Sequence, residues 1–345
     1  MARKKSCCWK GIKKGTDMLG NHKDLLGIEQ LTSQDIHHIF KTAATMKEIL
    51  ERPIKKLPTL RGKGVGMLFY EASTRTRVSF ETAAKTLGAD VGSFAVTTSS
   101  VNKGESLLDT AKTLQAMKFD LIVVRHASSG AGEFLARNLN AGIINAGDGQ
   151  HEHPTQALLD AFTLYEKFGQ QGEAGHGREG RTSPDSSLFA GRKIVIVGDI
   201  LHSRVARSNA LCLQRLGADV TFVGPPTLLP PEMACCGVTL SHDLDISLRG
   251  ADAVMALRLQ LERQQSGLFP SVREYTALYG LTSARLAQAN CATGQTPLVL
   301  HPGPMNRGVE IDSVLADSLQ SMIEEQVTNG VAIRMALIYL LIGGN

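Results

Sequence analysis

Short apolar runs of strand length recur along this 345-residue chain, and most are followed by a segment with helical spacing. The first set comprises Gly64 to Tyr70, Val91 to Val96, Leu121 to Val124 and Gly142 to Ala146. Helical patterns near Val78 to Leu87, Leu107 to Met117 and Ala131 to Asn138 are interleaved with it, and a long amphipathic helix, Ser33 to Leu50, precedes it. The second set comprises Lys193 to Val197, Asp219 to Val223, Ala253 to Ala256 and Leu298 to Leu300, with a helical pattern over Ser203 to Leu216. Such alternation predicts parallel sheets with helices on both faces, because a parallel crossover needs a connection long enough to hold a helix. Two sets of about four strands predict two similar α/β domains, which suits the length. The helix from about Pro154 to Phe168 is expected to link them. Gly169 to Ala190, rich in Gly, Ser and charge, reads as a flexible surface loop. The last helix, Ser321 to Ile342, is expected to pack back on the first domain. The division is therefore a basic extension over 1–22, a first domain over 23–154 plus 326–345, and a second over 155–325 with the loop at 169–190.

Composition narrows the function class. Hydrophobic residues make up 43% and charged residues 20%, an ordinary globular balance. The longest apolar run, Val331 to Ile342, is interrupted by Arg334 and too short for a bilayer, so it reads as a buried helix with no membrane role. Six basic residues against Asp17 give the first 20 residues +5 of a total of +4, leaving the rest near −1. The body of the chain therefore lacks the charge of a nucleic-acid binder. The basic start has no apolar segment of the secretory kind and reads as a solvated or partner-binding tail. Cys7, Cys8, Cys212, Cys235, Cys236 and Cys291 form neither a zinc spacing nor a disulfide framework, which points to a cytoplasmic protein with reduced thiols.

Ligands of open α/β sheets bind beyond the carboxyl ends of strands. After the first strand comes Glu71-Ala72-Ser73-Thr74-Arg75-Thr76-Arg77, hydroxyls interleaved with arginines at a helix start. Backbone N–H groups and the helix dipole attract an anion there, and an arginine fork matches phosphate oxygens. Later strands are followed by the loop Ser99 to Ser106, which includes Lys103, by Arg125-His126, and by His151-Glu152-His153-Pro154-Thr155-Gln156. His-x-His with Glu152 lacks an evident third metal ligand, so a metal is disfavoured. In the second set, Gly198 to Ser208 holds Arg204 but one glycine where a dinucleotide loop needs three. Arg258-Leu259-Gln260 and the rigid turn His301-Pro302-Gly303-Pro304 follow the last two strands of that set. Together these segments read as a two-sided site, a phosphate grip on one domain and a carboxylate grip on the other.

The runs Phe69 to Arg77, Lys103 to Glu105, Arg125-His126, His153 to Gln156 and His301 to Pro304 resemble those of the carbamoyltransferases, in order, over about residues 25 to 345. Within that family the chain is more similar to the aspartate branch. Ala157-Leu158-Leu159-Asp160 follows Gln156, Arg258-Leu259-Gln260 stands where ornithine enzymes carry a Ser-Met-Gly loop, and His301-Pro302-Gly303-Pro304 replaces their His-Cys-Leu-Pro. The resemblance implies carbamoyl transfer from carbamoyl phosphate to the α-amino group of L-aspartate, without metal or cofactor. By the same resemblance Ser73, Thr74, Arg75 and Thr76 hold the phosphate, and Thr76, Arg125 and His153 polarise the carbamoyl oxygen. Gln156 and the Pro302 and Gly303 carbonyls take the amino group. Arg204, Arg258 and Gln260 take the aspartate carboxylates. The resemblance further implies a homotrimer in which Ser99 and Lys103 enter the neighbouring subunit's site, and it is compatible with a regulatory chain or a dihydroorotase-type partner. Three features depart from the pattern: the extension at 1 to about 22, the length of the 169–190 loop, and glycine at 303 where some relatives carry leucine. The competing readings are a carbamoyltransferase for ornithine or a related amine, a non-catalytic paralogue, and an NAD-binding protein.

Overall fold

The computed structural model describes residues 22–95, 105–175, 188–259, 271–293 and 296–343. In the first half, β1 (Gly64–Phe69), β2 (Asp90–Ala95), β3 (Leu121–His126) and β4 (Gly142–Asp148) form one sheet in the order β2-β1-β3-β4. All pairings are parallel. β4 is buried along its whole length and β1 along nearly all of it, as strands covered on both faces must be. The covering helices are α1 (Ser33–Glu51), α2 (Thr74–Thr86), α3 (Leu107–Ala116) and α4 (Ala131–Asn138). The sequence marks their starts: a capping box between Thr32 and Asp35 opens α1, and the Ser106 hydroxyl accepts from the Asp109 N–H at the start of α3.

α5 (Pro154–Gly175) crosses to the second half. There β5 (Lys193–Val197), β6 (Asp219–Val223), β7 (Thr239–Ser241), β8 (Ala253–Ala256) and β9 (Leu298–Leu300) make a second parallel sheet, ordered β7-β6-β5-β8-β9. Around it lie α6 (Arg204–Leu216), α7 (Leu244–Leu248), α8 (Val272–Tyr279), α9 (Ser283–Thr293) and α10 (Ser313–Ala316). Strand periodicity distributes the apolar side chains. Ile194 and Ile196 of β5 join a large core that also holds Val65 and Met67 of β1, whereas Val195 and Val197 face a separate core under α7, α8 and α9. A third core lies on the other face of the first sheet, around Leu68, Ile122 and Val124. The shared core contains α5 and the last helix, α11 (Ile323–Ile342), which packs against α1, α2 and α5. The two-domain α/β architecture and the returning C-terminal helix match the expectation.

Three expectations on element bounds change. The second sheet has a fifth strand, β7, a three-residue and only partly buried edge whose pattern is too short to read. α5 runs on to Gly175, so the supposed loop from Gly169 is helical for its first turns. Phe168 packs edge-on against Phe189, centroids 5.6 Å apart, and Gln170 and Gln171 are helix-compatible, so one glycine at about 1 kcal/mol does not end the helix. Positions 176–187 of that loop, and the extension at 1–21, lie outside the described residues. Finally, α2 begins at Thr74 rather than near Val78, which sets Thr74, Arg75 and Thr76 in its first turn.

Candidate active site

Both sheets direct the carboxyl ends of β1, β3, β8 and β9 at one cleft of about 750 Å³. The N-terminus of α2 forms one wall. Ser73 occupies its N-cap position with φ −159° and ψ 87°, but its side chain caps nothing. By contrast Thr32, Ser106, Ser203, Asp243, Ser271 and Asp312 all accept a backbone N–H at their helix starts. The first turn of α2 thus keeps its donors and hydroxyls for something else. Thr76 is buried there, and Arg75 forms no ion pair among the described residues. Desolvation and the facing Arg258 guanidinium hold Arg75 below its ordinary pKa. Arg77 points away from the cleft, pairing loosely with Glu81 one turn on at 3.7 Å.

Arg125, near the end of β3, donates to the Ala146 carbonyl (3.1 Å) and to Glu71 Oε1 (2.6 Å). Arg204, the first residue of α6, donates to both Glu71 oxygens, at 2.5 and 3.1 Å, and to the Gly149 carbonyl. One carboxylate therefore ties together arginines 54 and 133 residues away, one from each half of the molecule. Burial pushes the Glu71 carboxyl up, but the two guanidinium groups outweigh it and hold it below the usual range. Gly147, at φ +116°, lies under this cluster, where a Cβ would stand 3.0 Å from the Arg204 guanidinium and 3.2 Å from Arg125.

His153 precedes α5 and is buried, its backbone N–H donating to Ser208 Oγ (2.8 Å). Burial, with Arg125, Arg204 and Arg334 nearby, pushes the imidazole well below its ordinary pKa, so it is neutral near pH 7. The neighbouring polar residues go elsewhere. His151 pairs with Asp148 at 3.1 Å, while buried Glu152 accepts from the Ile28 N–H and the Ser208 hydroxyl. Among the described residues no three His, Cys, Asp or Glu side chains lie together as metal ligands.

After β9, His301 organises the turn. Its Nδ1 accepts from the Gly303 N–H (2.8 Å), which leaves Nε2 to donate to Glu310 at 3.2 Å. Gly303 has φ +67°, and a Cβ there would stand 2.7 Å from an Arg75 guanidinium nitrogen. The left-handed backbone favours glycine at 303, and the Arg75 guanidinium lies against it. Gln156 of α5, Pro302, Gly303 and Arg258 complete the lining expected from the sequence, so Ser73, Thr74, Arg75, Thr76, Arg125, His153, Gln156, Arg204, Arg258, Pro302 and Gly303 all share the cleft. Ser99, Lys103 and Gln260 lie outside the described residues.

Arg334 of α11 also lines the cleft, donating to Ser79 Oγ (2.7 Å), with its guanidinium 5.1 Å from the Phe80 ring centroid. Burial pushes it down to about 10. The sequence signals it only as a charge inside the apolar run 331–342. No local pattern signals the role of Glu71, because both its partners are distant in sequence. Five arginines against one carboxylate, Glu71, suit a ligand carrying several negative charges.

Residues 23–166 match the family model of the aspartate/ornithine carbamoyltransferase carbamoyl-P binding domain, and residues 190–341 match that of the Asp/Orn binding domain. The chain is 61% identical over 324 residues to the aspartate carbamoyltransferase catalytic subunit of Desulfitobacterium hafniense, covering 94% of this chain and 97% of that one. Among solved structures it is similar to aspartate transcarbamoylase from Trypanosoma cruzi in complex with carbamoyl phosphate and aspartate. The TM-score is 0.78 at 28% identity, over 95% of this chain and 99% of the other. The catalytic subunit of M. Jannaschii aspartate transcarbamoylase aligns with a TM-score of 0.75 at 33% identity, over 94% of this chain and 99% of that one.

Proposed function

The chain belongs to the aspartate/ornithine carbamoyltransferase family, and from that premise we propose how the cleft between its two sheets works. The reaction moves the carbamoyl group of carbamoyl phosphate to the α-amino group of L-aspartate, giving N-carbamoyl-L-aspartate and phosphate. The observation that carries the site assignment is the uncapped N-terminus of α2 facing a cleft with five arginines and one carboxylate.

In this reading the phosphate sits on the first turn of α2, held by Ser73, Thr74, Arg75 and Thr76. Thr76, Arg125 and the single N–H of neutral His153 donate to the carbamoyl oxygen. They stabilise the oxyanion that forms when the aspartate nitrogen attacks the carbonyl carbon, each donor contributing on the order of 10²–10³ in rate. The carbon–oxygen bond to phosphate then breaks, and the proton of the attacking amine leaves with the phosphate. Gln156 and the Pro302 and Gly303 carbonyls accept from the carbamoyl amino group. Arg204 and Arg258, with Gln260, hold the two aspartate carboxylates. Most of the rate comes from positioning and electrostatics. The first domain takes 23–154 and 326–345, the second 155–325.

Ser99 and Lys103 complete the site from a neighbouring copy, in a homotrimer. A mixture of Lys103→Ala and Arg75→Ala chains tests this. Each variant alone is inactive, and verified hybrid trimers regain part of the activity, because one site in the hybrid has both residues intact. Inactive hybrids contradict the shared site. Assaying aspartate and ornithine side by side tests the substrate, and transfer to ornithine alone would overturn the reading.

A further inference from the structure

Asp160 is fully buried two turns into α5, and its carboxylate does not line the cleft. Three primary amides converge on it. Gln156 Nε2 (2.9 Å) and Gln326 Nε2 (2.6 Å) both donate to Oδ1, and Asn209 Nδ2 (2.9 Å) donates to Oδ2. The donors come from α5, α11 and α6. An ionised carboxylate only accepts, so each amide must turn its nitrogen inward and its oxygen away. Without such a partner the two orientations of an amide are nearly equivalent in shape.

Two of the outward oxygens bear on the cleft. Gln326 Oε1 accepts from the His301 N–H at 3.0 Å and so fixes the entry to the turn carrying Pro302 and Gly303. Gln156 lines the cleft, and with its nitrogen committed to Asp160 its oxygen is left as an acceptor there. We infer that Asp160 is a positioning residue that orients the whole acceptor set for the carbamoyl amino group, Gln156 directly and the Pro302–Gly303 turn through Gln326. The inference rests on the proposed role of those acceptors. Burial supports it: desolvation pushes the Asp160 carboxyl up to about 6 despite the three amides and nearby Arg334. A site kept only for stability favours an apolar side chain over a carboxylate held at such a cost.

The test compares two ligands that differ only at the recognised group. Acetyl phosphate has a methyl where carbamoyl phosphate has an amino group, so it presents no N–H to the acceptors. In Asp160→Ala, carbamoyl phosphate affinity falls by about tenfold or more, the worth of one or two lost hydrogen bonds, while acetyl phosphate affinity changes less than about threefold. Asp160→Asn recovers the discrimination. Its oxygen can keep both glutamines, the two arms that reach the acceptors. If Asp160→Ala does not fold, Gln326→Met cuts only the arm to the turn and gives the same selective loss at smaller size. Parallel weakening of both ligands in a folded variant overturns the inference, as do no weakening and an Asn variant that behaves like Ala. A wild-type protein with no preference for carbamoyl over acetyl phosphate would instead overturn the assignment of the cleft.

Discussion

α2 and α6 begin alike, each after a central strand of its sheet, with a serine at the N-cap and an arginine within the first two residues, yet the two N-termini offer the cleft different groups. At α2 the Ser73 side chain caps nothing and Arg75 is unpaired among the described residues. At α6 the Ser203 hydroxyl accepts from the Ala206 N–H, and Arg204 is buried against Glu71. The first helix offers backbone, hydroxyls and a cation together, the composition of a phosphate site. The second has closed its backbone end and offers only a side chain, already neutralised by a carboxylate. In the proposed reading, a substrate carboxylate reaching Arg204 competes with Glu71, whereas no acid among the described residues pairs with Arg75. The two helix starts are thus built to meet anions by different means.

Removing Glu71 strikes at the contrast hardest. Glu71→Gln leaves Arg204 and Arg125 without their anion and lowers stability at neutral pH by about 2 kcal/mol, since breaking a part-buried pair strands the remaining charges. Because the Glu71 pKa is depressed in the folded state, its contribution is present above the ordinary carboxyl range and disappears as pH falls through the folded value. The gap between wild type and variant, followed by denaturant unfolding, should therefore be widest near neutrality and close on acidification below about pH 4. A gap that persists into acid would mean that the stability difference does not come from the ion pairs of Glu71.

A smaller pair of effects sharpens the same comparison. Ser203→Ala loses a cap and costs about 1 kcal/mol of stability, with little change in carbamoyl phosphate affinity. Ser73→Ala costs almost no stability, because no cap is lost, but weakens carbamoyl phosphate by about the worth of one charged hydrogen bond, roughly tenfold. Calorimetric unfolding and phosphate titration of both variants check this; equal stability losses would make the two helix ends equivalent after all.

Local patterns in the sequence carried much of this. β5, β6, β8 and β9 are bounded by the residues their apolar runs predict, and the phosphate run is legible because its chemistry is contiguous from Ser73 to Arg77. What escaped reading depends on contacts made only in three dimensions. Glu71 sits next to the motif yet takes its meaning from Arg125 and Arg204, and Asp160 from Asn209 and Gln326, with Gln326 lying 166 residues away. Arg334 was visible only as an interruption of an apolar helix. The edge strand β7 and the continuation of α5 past Gly169 escaped for the opposite reason, since their local signals are weak or point elsewhere.

In the proposed reading phosphate and aspartate are held by separable halves of one cleft. Titrating Arg75→Ala and Arg204→Ala with inorganic phosphate and with a phosphonoacetyl-aspartate bisubstrate analogue tests it directly. Arg75→Ala should weaken both ligands, whereas Arg204→Ala should leave phosphate within about twofold and weaken the bisubstrate analogue by about 10²-fold, the worth of a lost charge-assisted pair. Phosphate affinity falling in step with that of the analogue in Arg204→Ala would contradict the two-sided site.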